Sequence, residues 1–158
     1  MSESQQAAVL FLPEFLPYKL NQLSVRISQA LSAVYSREFD LSIPEWRIIA
    51  TLGASSQPLS AKMIGQLTWM DKAKVSRALA TLVEKGWIDR EREEDDQRQS
   101  RIVLSQAGED LYERLVPKAL EWEAQLLEGM SATDYRDLQR LLKTLEQKVQ
   151  QLEQQYPS

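Results

Sequence analysis

The sequence predicts a mainly α protein with one small β-hairpin. Three observations carry that expectation. Long segments repeat apolar residues at helical spacing, and only 5 of the 158 residues are glycine. One stretch, "WIDREREEDDQRQSRIVLSQAG" at 87–108, breaks the period: two short β-branched runs flank a densely charged centre.

The elements follow in order. From Leu16, apolar residues recur at Leu20, Leu23, Ile27, Leu31 and Val34, one stripe at helical spacing that predicts a long first helix. In "DLSIPEWRIIATL", Ser42 and Glu45 make a capping-box pattern and Pro44 suits a first turn, so a second helix runs from near Ile43 to Gly53–Ser56. Ser60 is placed to cap a short third helix that buries Ile64 and Leu67. Asp71 then caps a fourth, with Val75, Ala78, Leu79, Leu82 and Val83 inward and Gly86 as its stop. The hairpin comes next, and Ser105 caps a helix through Leu111, Leu115 and Leu120. Pro117 inside that pattern predicts a kink or break near Val116. "SATD" at 131–134 opens a last helix with Leu138, Leu141, Leu145, Val149 and Leu152 on one face, at near-heptad spacing suited to packing on other helices or on a second subunit.

Composition excludes several classes of function. Lys and Arg total 19 against 23 Asp and Glu, a net charge of −4, so bulk charge does not draw the chain to polyanions. A locally basic surface remains open, because fields act over about 8–10 Å. There is no cysteine and no histidine. That removes disulfides, thiol sensing, the usual zinc sites and the commonest general base. With no glycine-rich phosphate loop either, the chain is expected to be no enzyme, with no catalytic residues, no metal and no cofactor. The N-terminus lacks the pattern of a signal peptide, and no apolar run approaches the roughly 20 residues of a membrane span. The expectation is a cytoplasmic protein without membrane contact.

Two short helices joined by a tight turn and followed by a hairpin describe a winged helix-turn-helix, with 41–108 as that domain. Residues 1–40 supply an N-terminal helix, and 109–158 supply C-terminal helices. DNA is read by a helix whose inner face is fixed by a core and whose outer face carries donors. On "DKAKVSRALATL" that outer face holds Lys72, Lys74, Ser76, Arg77 and Thr81. Arg77 is the candidate for a base edge, since a guanidinium bonds guanine at two points. Lys72 and Lys74 suit phosphate equally well. A merely solvated cationic face is the competing reading, and the order of the parts favours DNA. Arg90, Arg92 and Arg101 either support the wing and touch phosphates or pair with Glu91, Glu93 and Glu94.

The run "LSIPEWRIIATLGASSQPLSAKMIGQLTWMDKAKVSRALATLVEKGWIDREREEDDQRQSRIVLSQAG" resembles the core of the MarR family of bacterial transcriptional regulators. "DDQRQSRIVLSQAG" is similar to that family's wing signature, and "SRALATLVEKGWIDRE" to its recognition helix and glycine stop. The resemblance implies a homodimer whose terminal helices interlock and present two winged domains to an inverted-repeat operator in double-stranded DNA, usually as a repressor. It implies that Asp96 orients Arg98, and that Arg98 enters the minor groove. A narrow minor groove has enhanced negative potential and favours an inserted arginine.

"NQLSVRISQALS" and "IPEWRIIATL" further resemble a subset of the family that senses aromatic carboxylates of the hydroxycinnamate type. That likeness implies a small aromatic or phenolic ligand held by Ser28 and Arg47, with Trp46 and Arg26 nearby. The chemistry fits, since an arginine fork suits a carboxylate and an indole face suits a ring. The alternative is that Trp46 is core and Arg47 pairs with an acid such as Glu38. For the whole chain, the alternative function is a dimeric helical interaction module whose winged domain does not bind DNA.

Overall fold

The computed structural model describes residues 8–92 and 100–156. A 3-10 turn at Leu12–Glu14 precedes α1 (Leu16–Phe39), α2 (Ile43–Gly53), α3 (Ala61–Thr68) and α4 (Lys72–Glu84). Then come β1 (Ile88–Arg92), β2 (Ser100–Leu104), α5 (Gln106–Leu126) and α6 (Ala132–Gln155). The chain forms two compact units, Met1–Ala119 and Leu120–Ser158.

Capping chemistry fixes where the helices of the first unit begin. The Ser42 hydroxyl accepts from the Glu45 amide at 3.4 Å, and the Glu45 carboxylate accepts from the Ser42 amide at 2.9 Å. Both bonds satisfy donors that a helix start leaves unpaired. The Ser60 hydroxyl takes the Met63 amide at 3.2 Å, and the Asp71 carboxylate takes the Lys74 amide at 2.8 Å. Gly86 ends α4 at φ 74°, a left-handed conformation that costs glycine nothing.

The hairpin is antiparallel, with Ile88 opposite Leu104 and Arg90 opposite Ile102. Leu59, between α2 and α3, adds a bridge on the other side of β2: its amide and carbonyl both bond Ile102, at 3.0 and 2.9 Å. The wing is thereby hydrogen-bonded to the helix-turn-helix. At Gly108 a Cβ would sit 1.9 Å from the Trp87 carbonyl oxygen, so only glycine lets α5 start this close to β1. The Ser105 hydroxyl completes that joint, accepting from the Gly108 amide at 3.1 Å and donating to the Gly86 carbonyl at 2.6 Å.

One core unites these elements. Ile48, Ile49, Ile64, Val75, Leu79, Leu82, Ile88, Ile102, Leu111 and Leu115 are all buried, joined by Tyr35 and Phe39 from the end of α1. Two expectations are corrected here. Leu67 is exposed, and Thr68 fills the inward position one turn after Ile64, its hydroxyl satisfied by the Ile64 carbonyl at 2.6 Å. Val83 is exposed because the inward stripe of α4 ends at Leu82, one residue earlier. Along the α1 stripe, Leu16, Leu20 and Leu23 are exposed and Ile27, Leu31 and Val34 half-buried; the buried residues of this helix are Tyr35 and Phe39. Of the kink or break expected at Pro117, the break is absent: α5 runs through Pro117 as one helix. Pro117 is solvent-exposed, so water can satisfy the carbonyl one turn earlier that loses its amide partner.

The second unit is different in kind. A second capping box starts α6: the Ser131 hydroxyl accepts from the Asp134 amide at 3.1 Å, and Asp134 accepts from the Ser131 amide at 3.1 Å. None of its 24 residues is buried.

Candidate nucleic-acid interface

α4 lies with Val75, Ala78, Leu79 and Leu82 in the core, so its opposite side faces solvent by geometry. Lys72, Lys74, Ser76 and Arg77 are exposed there. Thr81 is half-buried and donates its hydroxyl to the Arg77 carbonyl at 3.2 Å, which occupies that donor within the helix. Lys74 stands 3.8 Å from the Asp71 carboxylate, an exposed pair of little energetic weight. The hydrogen bond from the Lys74 amide, aided by the charges of Lys74 and Arg77, holds Asp71 below the usual carboxylate range.

Between α3, α4 and β1 opens a cavity of about 680 Å³, lined in part by Lys62, Gln66, Met70, Lys72, Ser76 and Arg90. Cations therefore border the α4 face on two sides. Arg101 is exposed on β2, opposite Glu91 in register. Arg98 and Asp96, expected at the wing tip, lie outside the described residues.

A second cluster joins α1 to α2. The Arg47 guanidinium donates to the Ser28 hydroxyl at 3.4 Å, at the long limit of a hydrogen bond. Both side chains are half-buried. Glu38 does not take Arg47; it bonds Lys118, and Arg114 at 3.3 Å. Those bonds, that of Lys118 first, hold Glu38 below the ordinary carboxylate range. Arg26 is exposed and makes no hydrogen bond or ion pair among the described residues. Trp46 is half-buried against the core, and one of its faces is already stacked on Tyr35, with ring centroids 5.3 Å apart and 18° between planes.

Tyr35 is a residue the sequence reading missed. It is fully buried, and its hydroxyl has no hydrogen-bond partner among the described residues. Burial pushes that phenol up, and the nearby charge of Arg47 pulls it partly back. The available signal was spacing, since Tyr35 follows Ser28 by two helical turns and so shares its side of α1. Lys85 was missed too. It crosses from the end of α4 to the α1–α2 corner, bonding the Asp40 carbonyl and the carboxylates of Asp40 and Glu45, both at 3.2 Å. No local pattern marks a contact across 40 and 45 residues.

A core-fixed helix with a cationic outer face, preceded by a second helix and followed by a bonded hairpin, defines a winged helix-turn-helix of the DNA-binding class. Comparison with known proteins agrees. The MarR family model matches residues 39–99. The HTH-type transcriptional regulator PecS of Dickeya dadantii is 30% identical over 129 residues, 80% of this chain and 77% of PecS. SarZ, an HTH-type transcriptional regulator of Staphylococcus saprophyticus, is 32% identical over 81 residues, 51% of this chain; the match spans 55% of SarZ's length. A crystal structure of a MarR/EmrR family transcriptional regulator from Acinetobacter sp. ADP1 superposes with a TM-score of 0.80 at 33% identity, covering 90% of this chain and 99% of that one. The chain belongs to the MarR family of transcriptional regulators. Among the described residues no helix is long and apolar enough to cross a membrane, and no group of acids is placed to hold a metal ion.

Proposed function

We propose that the protein acts as a homodimer on an inverted-repeat operator, as a repressor released by a small aromatic carboxylate. The observation that carries the DNA reading is the exposed face of α4: Lys72, Lys74, Ser76 and Arg77 stand together on a helix whose other side is locked in the core. Arg77 reads a base edge while Lys72 and Lys74 hold phosphates. Arg101 and Arg98 serve the wing, with Asp96 aiming Arg98.

The ligand reading rests on the pair of Ser28 and Arg47. Their long hydrogen bond is weak, and an incoming carboxylate offers Arg47 a charge-assisted replacement. Trp46 supplies an apolar wall, and Arg26 adds positive charge nearby. Ser28 and Arg47 bridge α1 to α2, so a ligand wedged between them would shift the base on which the helix-turn-helix stands.

Gel shifts on the DNA upstream of its own gene test the first part, with retardation that weakens as salt rises. Arg98→Ala should weaken binding by about 1–3 kcal/mol, and Arg77→Ala by a similar amount with relaxed sequence preference. No retardation at micromolar folded protein in low salt would exclude this DNA as the operator. For the ligand, aromatic acids should release DNA, and Arg47→Ala should weaken their effect by about 10- to 100-fold. Release that persists unchanged in that variant counts against the carboxylate site.

A further inference from the structure

Trp69 occupies the turn between α3 and α4 and is 89% exposed. Its backbone sits at φ 54°, ψ 38°, the left-handed region. Glycine adopts that conformation freely, whereas a bulky residue there is an outlier. The left-handed backbone ends α3, whose Gly65 carbonyl accepts from the Trp69 and Met70 amides, but that capping role asks for glycine rather than an indole. An indole left in water contributes no burial, and glycine at this position would relieve the backbone strain. Such strain concentrates at sites that contact something else.

We propose that Trp69 is a DNA contact, its indole lying on the deoxyribose-phosphate chain beside the groove that α4 enters. The proposal rests on the reading that α4 meets DNA. Trp69 stands two residues before the α4 cap Asp71, with Lys72 and Lys74 just beyond. Gly65, Gln66 and Met70 form a shallow hollow with Trp69, and the same three residues line the cavity bounded by Lys72 and Ser76. The indole is therefore continuous with the outer face of α4. Lys62 and Lys72 border this surface without an ion pair among the described residues, which favours a polyanion over an apolar protein partner. An indole suits a sugar-phosphate chain: its flat face covers deoxyribose, and its N–H donates to a phosphate oxygen. Such a contact sets position and carries no sequence information.

The test uses full-length protein and a labelled duplex recovered from random DNA by in vitro selection. Trp69→Gly should weaken binding by roughly 10-fold, as loss of a buried aromatic contact does, with a melting temperature that is unchanged or higher. The salt slope should stay the same, because no cation is lost, whereas Lys72→Ala should lower it by about one. Tryptophan fluorescence should respond to duplex in the wild type and respond less in Trp69→Phe. Unchanged affinity in Trp69→Gly, alongside weakened Lys72→Ala and Arg77→Ala, overturns the Trp69 contact and leaves the α4 reading intact. A melting temperature that falls with affinity also overturns it, since the indole would then be holding the turn. If no duplex is recovered, or none of these variants alters binding, the α4 reading fails and this contact with it.

Discussion

α4 and α6 are both amphipathic helices with a continuous apolar stripe, yet they end up in opposite circumstances. In α4 the stripe is covered by α2, α3 and the wing, with Leu79 and Leu82 wholly buried. In α6 the corresponding residues Leu138, Leu141, Leu142, Val149 and Leu152 remain exposed. An apolar face on a helix needs a cover, and only one of these two finds it among the described residues. A helix covered from within has its other side fixed in space, which is what reading DNA requires. A helix left uncovered is what a second copy of the chain would bury, and this supports the proposed dimer.

Substitutions that treat the two helices alike should therefore give unlike results. The largest effect is expected from Leu79→Ala, about 2–5 kcal/mol of stability by urea denaturation, because the deletion leaves a cavity in a packed core. Leu141→Ala makes the same chemical change in α6. It should alter unfolding only at protein concentrations where the dimer forms, and an equal loss at all concentrations would show that α6 is covered within its own chain. Next, Leu141→Glu combined with Leu145→Glu should yield a monomer by light scattering. DNA binding should then weaken by at least about 100-fold, as loss of a linked second site does. A dimer that survives this pair of charges places the interface elsewhere.

Smaller differences sharpen the contrast. Ser42→Ala and Ser131→Ala each break a capping box, at about 1 kcal/mol in a typical helix. The loss at Ser42 should appear in the melting of the core, because the amide of the buried Glu45 loses the Ser42 hydroxyl there. At Ser131 it should appear as fraying of α6 by hydrogen exchange. The weakest signal is the pH profile. Burial raises the Tyr35 phenol. Burial alone would lower Lys85, but its hydrogen bonds to Glu45 and then Asp40 outweigh that and raise it. Both groups hold a proton more tightly when folded. Their contribution is complete below about pH 10 and is lost as pH rises through the raised values. Tyr35→Phe should flatten this alkaline limb in thermal melts. Asp134 runs the other way. The bonds from Ser131 lower it, so its contribution is present above about pH 4 and lost as pH falls through the lowered value.

Five of the six α-helices among the described residues carry a local start signal. Ser42, Ser60, Asp71, Ser105 and Ser131 stand where helices begin, and Gly86 stands where α4 stops. Caps, stripes and the change of period at Trp87 depend on near neighbours, so the chain alone settled the order of elements and the identity of the candidate reader. The same holds for Lys72, Lys74, Ser76 and Arg77, whose outward direction follows from the inward direction of Val75 and Leu79. Which stripe would be covered was a different matter. Leu67 and Val83 match the apolar pattern but fall outside the space that neighbouring elements fill, while Tyr35 and Glu45 are buried by contacts across the fold. The Lys85 crossing, the Ser28–Arg47 pair and the Arg114–Glu38 bond link residues 19 to 76 positions apart. Periodicity and capping reach only about one helical turn along the chain, so burial and these pairings were decided by tertiary packing alone.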